Sequence, residues 1–166
     1  MFETIILTLG PAPGLLGDVA AMHGRYYARE WGFPTCFEAM VAREMGDFLL
    51  RYEPARDRIC SVAEHGRILG SITIDGSDPG AAEGQGHLRW FILDESLAGQ
   101  GLGGRMLGEA VEFARNAGLS SLYLTTFRGL EPAGTLYARA GFHVVSECTG
   151  ETWGRAVMEQ RLEMAL

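Results

Sequence analysis

The hydrophobic positions of this chain change period several times, and each change predicts an element. Phe2–Leu9 is largely apolar and reads as a first strand, closed by Gly10-Pro11-Ala12-Pro13-Gly14. From Leu15 the spacing lengthens to a helical one. Leu15, Val19, Met22, Tyr26 and Tyr27 share one face of a helix that should stop near Gly32. Pro34 punctuates the chain, and Phe37, Met40, Val41, Met45 and Phe48 predict a second helix reaching about Leu50.

Ile59–Glu64 and Ile68–Asp75 carry strand patterns, joined by His65-Gly66-Arg67 in the manner of a hairpin. The polar, glycine-rich stretch Gly76–Gly86 reads as a mobile surface loop. Gly86–Leu93 is the best strand signal, placing His87, Arg89, Phe91 and Leu93 on one face and Leu88, Trp90 and Ile92 on the other. Its near-continuous apolar end predicts a central strand.

A helix from about Gly101 to Asn116 follows, with Leu102, Met106, Leu107, Ala110, Val111 and Ala114 as its buried stripe. Leu122–Thr126 reads as a strand, Ala133–Ala140 as a short helix, Phe142–Cys148 as a strand and Ala156–Glu163 as a weaker terminal strand. Strands interrupted by helices favour an α/β arrangement around a central sheet. No repeat and no composition shift marks a second domain, so residues 1–166 read as one.

Composition narrows the function. The chain of 166 residues is 47% hydrophobic and 21% charged, as expected of a globular domain that buries one core. Its net charge of -7, from 21 acidic and 14 basic residues, argues against a general nucleic-acid binder. Cys36, Cys60 and Cys148 are odd in number and widely spaced, fitting neither a disulfide scaffold nor a CxxC metal site. His23, His65 and His143 make no ligand pattern with them. With no signal-like N-terminus and no long apolar run, a cytoplasmic setting without a membrane partner is the expectation.

The chemistry starts at Glu95–Arg105, between the best strand and the best helix. Gln100-Gly101-Leu102-Gly103-Gly104 opens that helix, and glycines there let successive backbone N–H groups curve around phosphate oxygens while the first helical donors stay unpaired. Arg105 can add a positive charge. The competing reading is a tight connection and nothing more. The segment lacks the Gly-Lys-Ser/Thr of a P-loop and the full GxGxxG of a dinucleotide fingerprint.

Leu88–Leu93, Gly99–Gly104 and Leu136-Tyr137-Ala138-Arg139-Ala140-Gly141-Phe142 resemble, in order, the signature of the GCN5-related N-acetyltransferase (GNAT) superfamily. A closer likeness, through His87–Phe91, Thr125-Thr126-Phe127 and Trp153–Gln160, is to the acetyltransferase domain fused to MarR-like regulators, of which this chain would be a standalone version. The resemblance implies a mixed, mostly antiparallel sheet flanked by helices, acetyl-CoA as cosubstrate, no metal, an amine acceptor that is a small molecule or a protein, and a possible homodimer. It also implies that Gln100–Gly104 hold the cofactor pyrophosphate and that the backbone around Phe91 and Leu93 pairs with its amide-containing arm. The family usually begins this loop with Arg or Gln, where Ala98 stands here; Leu130 stands where related motifs have asparagine.

By the same resemblance Tyr137 protonates the departing thiolate, its phenol being protonated at neutral pH with an ordinary pKa near 10. The alternative role is packing. An amine with a lysine-like pKa of 10.4 costs about 4.6 kcal/mol to neutralise at pH 7, so a deprotonation route is needed. Glu38, His87 and, lower in rank, Glu83 are the available bases; an exposed charge for Glu38 and a sheet-face side chain for His87 are the plainer alternatives. A CoA-binding regulatory module without efficient transfer is the competing function.

Overall fold

The computed structural model describes residues 7–166. Eleven principal elements follow in order: β1 (Leu7–Leu9), α1 (Leu15–Trp31), α2 (Thr35–Leu50), β2 (Arg58–Glu64), β3 (Arg67–Asp75), β4 (Gln85–Leu93), α3 (Leu102–Asn116), β5 (Ser121–Phe127), α4 (Glu131–Ala140), β6 (His143–Gly150) and β7 (Val157–Ala165). Residues 2–6 of the first predicted strand lie outside the described region.

The local chemistry explains most of the boundaries. Gly32 caps α1 in the left-handed conformation, with its N–H on the carbonyls of Ala28 and Tyr27, and Phe33 donates back to Tyr27. His65 and Gly66 both take positive φ, 50° and 78°, as a two-residue turn between antiparallel strands requires. The β2–β3 hairpin therefore closes on the Glu64–Arg67 pair.

All seven strands join one sheet in the order β1-β2-β3-β4-β5-β7-β6, and every neighbouring pair is antiparallel except β4 with β5. This is the mixed, mostly antiparallel sheet that the resemblance implies. Two cores form, one on each face. Met106, Leu107, Ala110 and Val111 of α3, with Tyr137 of α4, pack on Val62, Ile72, Ile74, Leu88, Leu122 and Leu124. On the other face Val19 of α1 and Val41, Met45 and Phe48 of α2 pack on Ile59, Ile68, Trp90 and Phe127.

Two expectations change. The terminal strand, weak by its apolar pattern, is an interior strand hydrogen-bonded on both edges, to β5 and to β6. Its place comes from two backbone ladders, with only Leu162 and Met164 buried. The Gly76–Gly86 loop is tied down along its length: Gly76 N–H donates to the buried Asp57 carboxylate at 3.0 Å, Asp78 is gripped from the sheet, and Ser120 N–H donates to the Gly84 carbonyl at 2.8 Å. Among the described residues no helix is long and apolar enough to cross a membrane.

Candidate active site

The site is made by a parting of strands. β4 and β5 pair only over Gln85–His87 and Ser121–Tyr123. Beyond His87 they separate, so the backbone of β4 from Leu88 to Leu93 has its β5-side edge unpaired while its other edge remains bonded to β3. A sheet edge with unpaired N–H and C=O groups is a template for an extended ligand arm.

A bulge in the same strand redirects its side chains. Trp90 has φ 48°, rare for a bulky residue, and the β3–β4 register shifts there, between the Ser71–Ile92 and Thr73–Arg89 pairs. Arg89 and Trp90 consequently stand on the same face, with the guanidinium 4.2 Å from the indole centroid. Leu88, Phe91 and Leu93 pack on the α3 side. The strict alternation predicted for β4 thus breaks at Trp90: His87 and Arg89 belong to one face and Phe91 and Leu93 to the other.

Two cavities flank the parting. The first, about 650 Å³, is lined by Phe91 and Leu93, by the loop at Ala98, Gly99 and Gly101, and by the start of α3 at Leu102–Gly104. Gly99 and Gly101 both have positive φ, 75° and 73°. Gly101 caps α3 without any side-chain hydrogen bond, so the first N–H groups of the helix point out unpaired. A Cβ on Gly103 would stand 3.0 Å from Leu136 and 3.7 Å from Phe91, so the bare backbone keeps the wall between α3 and α4 open. The shape and donors fit a phosphate-bearing chain entering at the helix start and running along β4.

The second cavity, about 440 Å³, lies on the α1–α2 face. Tyr27, Phe33, Phe37, Phe127 and Trp153 give it aromatic walls, and Glu44, Asp78, His87, Arg89 and Glu159 give it polar ones. The turn between β6 and β7 closes one end. Arg155 donates to the Trp31 carbonyl, and a Cβ on Gly154 would lie 2.6 Å from Pro34 and 2.8 Å from Cys36. The cavities meet on Tyr27, Phe91, Leu130 and Ala133, which line both.

Two titratable centres stand in the second cavity. His87 Nδ1–H donates to Asp78 Oδ2 at 2.8 Å, and the imidazole stacks on Tyr123 at 4.1 Å. Tyr123 Oη also donates to Asp78. The hydrogen bond from His87, reinforced by Tyr123 and Gly80 N–H, holds the Asp78 carboxyl far below its ordinary range. Burial lowers the His87 pKa despite Asp78, so the ring is neutral at pH 7, with Nδ1 carrying the proton and Nε2 as the acceptor. Tyr137 is buried beside Phe91 and Phe142, and that burial raises its phenol pKa well above the usual value. It is a protonated donor.

An acetyltransferase family model matches residues 24–142, most of the chain and both cavities' β4 floor. The chain belongs to the acetyltransferase (GNAT) family. Solved structures share the fold at low identity. The ribosomal-protein-alanine N-acetyltransferase of Brucella melitensis superposes with a TM-score of 0.75 at 14% identity, covering 97% of this chain and 99% of that one. The IAA acetyltransferase of Bacillus cereus gives 0.63 at 19% identity, covering 98% and 100%. The Salmonella typhimurium protein yncA, solved with its cofactor acetyl-CoA, gives 0.69 at 15% identity, covering 99% and 95%. Among curated protein sequences nothing matches.

Within this GNAT frame the residues singled out by sequence fall into three groups. Phe91, Leu93, Gly101, Leu102, Gly103 and Gly104 line the first cavity; His87 and Tyr137 line the second. Gln100 and Arg105 flank the helix start on the exposed side and line neither cavity; the Gln100 amide donates to Ser96 O at 3.4 Å. Glu38 lies against α1, where a Cβ on Gly24 would meet its carboxyl carbon at 2.8 Å, and Glu83 sits in the loop outside both cavities. Glu44, six residues along α2 from Glu38 and on a different face, is the α2 carboxylate that reaches the second cavity.

Asp78, Tyr123, Glu44 and Glu159 were not among the residues sequence reasoning selected. Asp78 sits in a loop with no periodicity, and Glu44 differs from Glu38 only by helical phase. Tyr123 carried a readable signal: it alternates with Leu122 and Leu124, which places it on the face opposite α3. Among the described residues no three His, Cys, Asp or Glu side chains converge to hold an ion.

Proposed function

We propose that this protein transfers an acetyl group from acetyl-CoA to a primary amine by direct attack. The observation that carries this reading is the meeting of the two cavities at the β4–β5 parting, with a neutral histidine and a protonated tyrosine both facing the second. The Gly101–Gly104 N–H groups would hold the pyrophosphate, and the unpaired edge of β4 near Phe91 and Leu93 would hold the amide arm. Acetyl-CoA supplies the activated thioester.

His87 Nε2, directly or through a water, accepts a proton from the acceptor ammonium, while Asp78 fixes the tautomer that leaves Nε2 free. The neutral amine then forms the C–N bond as the C–S bond breaks. Tyr137 donates its hydrogen bond, and then its proton, to the departing sulfur; the proton lost by the amide nitrogen restores the balance. The products are an N-acetyl amine and free CoA thiol. The Trp153–Gln160 stretch supplies Trp153 and Glu159 to the second cavity, where they would line the acceptor's path.

The test is acetyl-CoA turnover against an amine panel, with mass identification of the product. Amine-dependent transfer that falls in Tyr137→Phe while acetyl-CoA binding persists supports the assignment. Acetyl-CoA binding with no turnover on any amine favours the binding module and sinks the transferase.

A further inference from the structure

The second cavity carries information about the acceptor, given the transferase reading above. Its charges can be followed one by one. Arg89 is the single permanent cation among its described lining residues. Its guanidinium is already engaged by two carboxylates, Glu44 and, at 3.4 Å, Asp75. Asp75 in turn takes a bidentate pair from Arg51 at 2.9 and 2.6 Å, which balances that buried carboxylate. Arg89 with Glu44 therefore closes to neutrality. Asp78, held ionised, and Glu159 are left over as negative charge.

No other lining group among the described residues offsets them. His87 is kept neutral by burial, and burial also lowers His23 to about 4. Arg155 of the β6–β7 turn is held by the Trp31 carbonyl, and Arg161 of β7 by Glu163 and Gln85. An ammonium entering this cavity meets a favourable field, whereas a carboxylate or phosphonate meets like charge with no free guanidinium to pair with.

The remaining wall is aromatic. Phe33 lies 5.1 Å from Phe37, 5.3 Å from Phe127 and 6.4 Å from Trp153, and Tyr27 lies 5.4 Å from Phe33. Rings at these distances take a flat apolar body by stacking and edge contacts, and they attract a cation through their faces. A polyamine would need further carboxylates spaced along such a wall. We infer that the acceptor is a primary amine on an aromatic or bulky apolar skeleton that bears no anionic group, an arylalkylamine rather than an amino acid or a polyamine.

The matched pair phenylalaninamide and phenylalanine differs at the carboxyl terminus alone, and kcat/KM is compared per neutral amine, because the amide also lowers the basicity of the α-amine. With saturating acetyl-CoA and the full-length protein, thiol release should show kcat/KM for phenylalaninamide and phenethylamine exceeding that for phenylalanine by about a hundredfold. Spermidine should also fall below phenethylamine. In Glu44→Gln, where Arg89 loses one of its carboxylates, the gap between phenylalaninamide and phenylalanine should narrow by about tenfold. The wild-type pair decides the matter even if that variant fails to fold. Equal use of phenylalanine and its amide, or preference for spermidine, overturns the inference while leaving amine acetylation intact. Failure with every amine, despite acetyl-CoA binding, overturns the transferase reading and the acceptor class with it.

Discussion

Tyr137 is buried and His87 half-buried, and the loss of solvent moves them in directions that suit opposite tasks. It raises the phenol pKa, so Tyr137 stays a donor, and it lowers the imidazole pKa, so His87 stays an acceptor. Tyr137→Phe should lower kcat by roughly 10²-fold or more, with the Kd for acetyl-CoA nearly unchanged, as isothermal titration would measure. His87 loses its acceptor role when protonated, so kcat/KM for the amine should rise with pH through a limb below the ordinary 6.5. Asp78→Asn removes an interaction that favours the protonated ring, and the limb should move to lower pH still. A limb that stays put in this variant would remove Asp78 from its positioning role. His23 makes a different prediction. Its folded pKa of about 4 lies below the unfolded 6.5, so the unfolded chain takes up the proton first as pH falls. Stability is intact above 6.5 and declines between 6.5 and 4, by about 3 kcal/mol at most. Melting curves at pH 7 and pH 5 should show this loss in the wild type and a smaller one in His23→Gln.

At the scale of elements, the helix start and the β4 bulge divide the labour of the first cavity. Gly101 is required for its backbone conformation, since a Cβ there meets nothing within 4 Å but φ is 73°. Gly103 is required for clearance, with Leu136 at 3.0 Å. Gly101→Val and Gly103→Val should both weaken acetyl-CoA binding by about tenfold or more, the first through backbone strain and the second by filling the wall. Titration of CoA with each variant checks this, and unchanged affinity would remove the pyrophosphate assignment. The glycine pattern was readable in sequence because a tight strand-to-helix turn with positive φ calls for glycine whether or not a phosphate sits there. The bulge was not. Nothing in His87-Leu88-Arg89-Trp90-Phe91 signals that a tryptophan will take positive φ, and an alternation argument continues straight through it. The error is one of parity, and it wrongly grouped Phe91 and Leu93 with His87 and Arg89.

For the whole molecule, helix and strand order followed from period and punctuation, with small shifts at ends such as α4, which begins at Glu131 instead of Ala133. The terminal strand was underrated because ladder hydrogen bonds leave no mark on side-chain pattern. The site splits the same way. The first cavity comes mainly from two contiguous stretches, residues 91–104 and 130–139, with Tyr26 and Tyr27 added from α1, and was largely legible. The second is assembled from α1, α2, β4, β5, α4, β7, the Asp78 loop and the β6–β7 turn, whose side chains are far apart in the chain. Long-range assembly of that kind has no local signature. A substitution at the turn should report on it: Gly154→Leu, facing Pro34 and Cys36, should raise the acceptor KM several-fold while the acetyl-CoA KM holds.

The β6–β7 turn also lies beyond residue 142, where the match to the family model stops. Thr152, Trp153 and Glu159, which line the second cavity, thus sit outside the stretch that the family model matches. On the proposed reading, changes in that hairpin alter which amine is admitted and leave the first cavity untouched. Two proteins alike over residues 24–142 need not acetylate the same compound, and transplanting residues 150–160 between them is a direct route to exchanging their preferences.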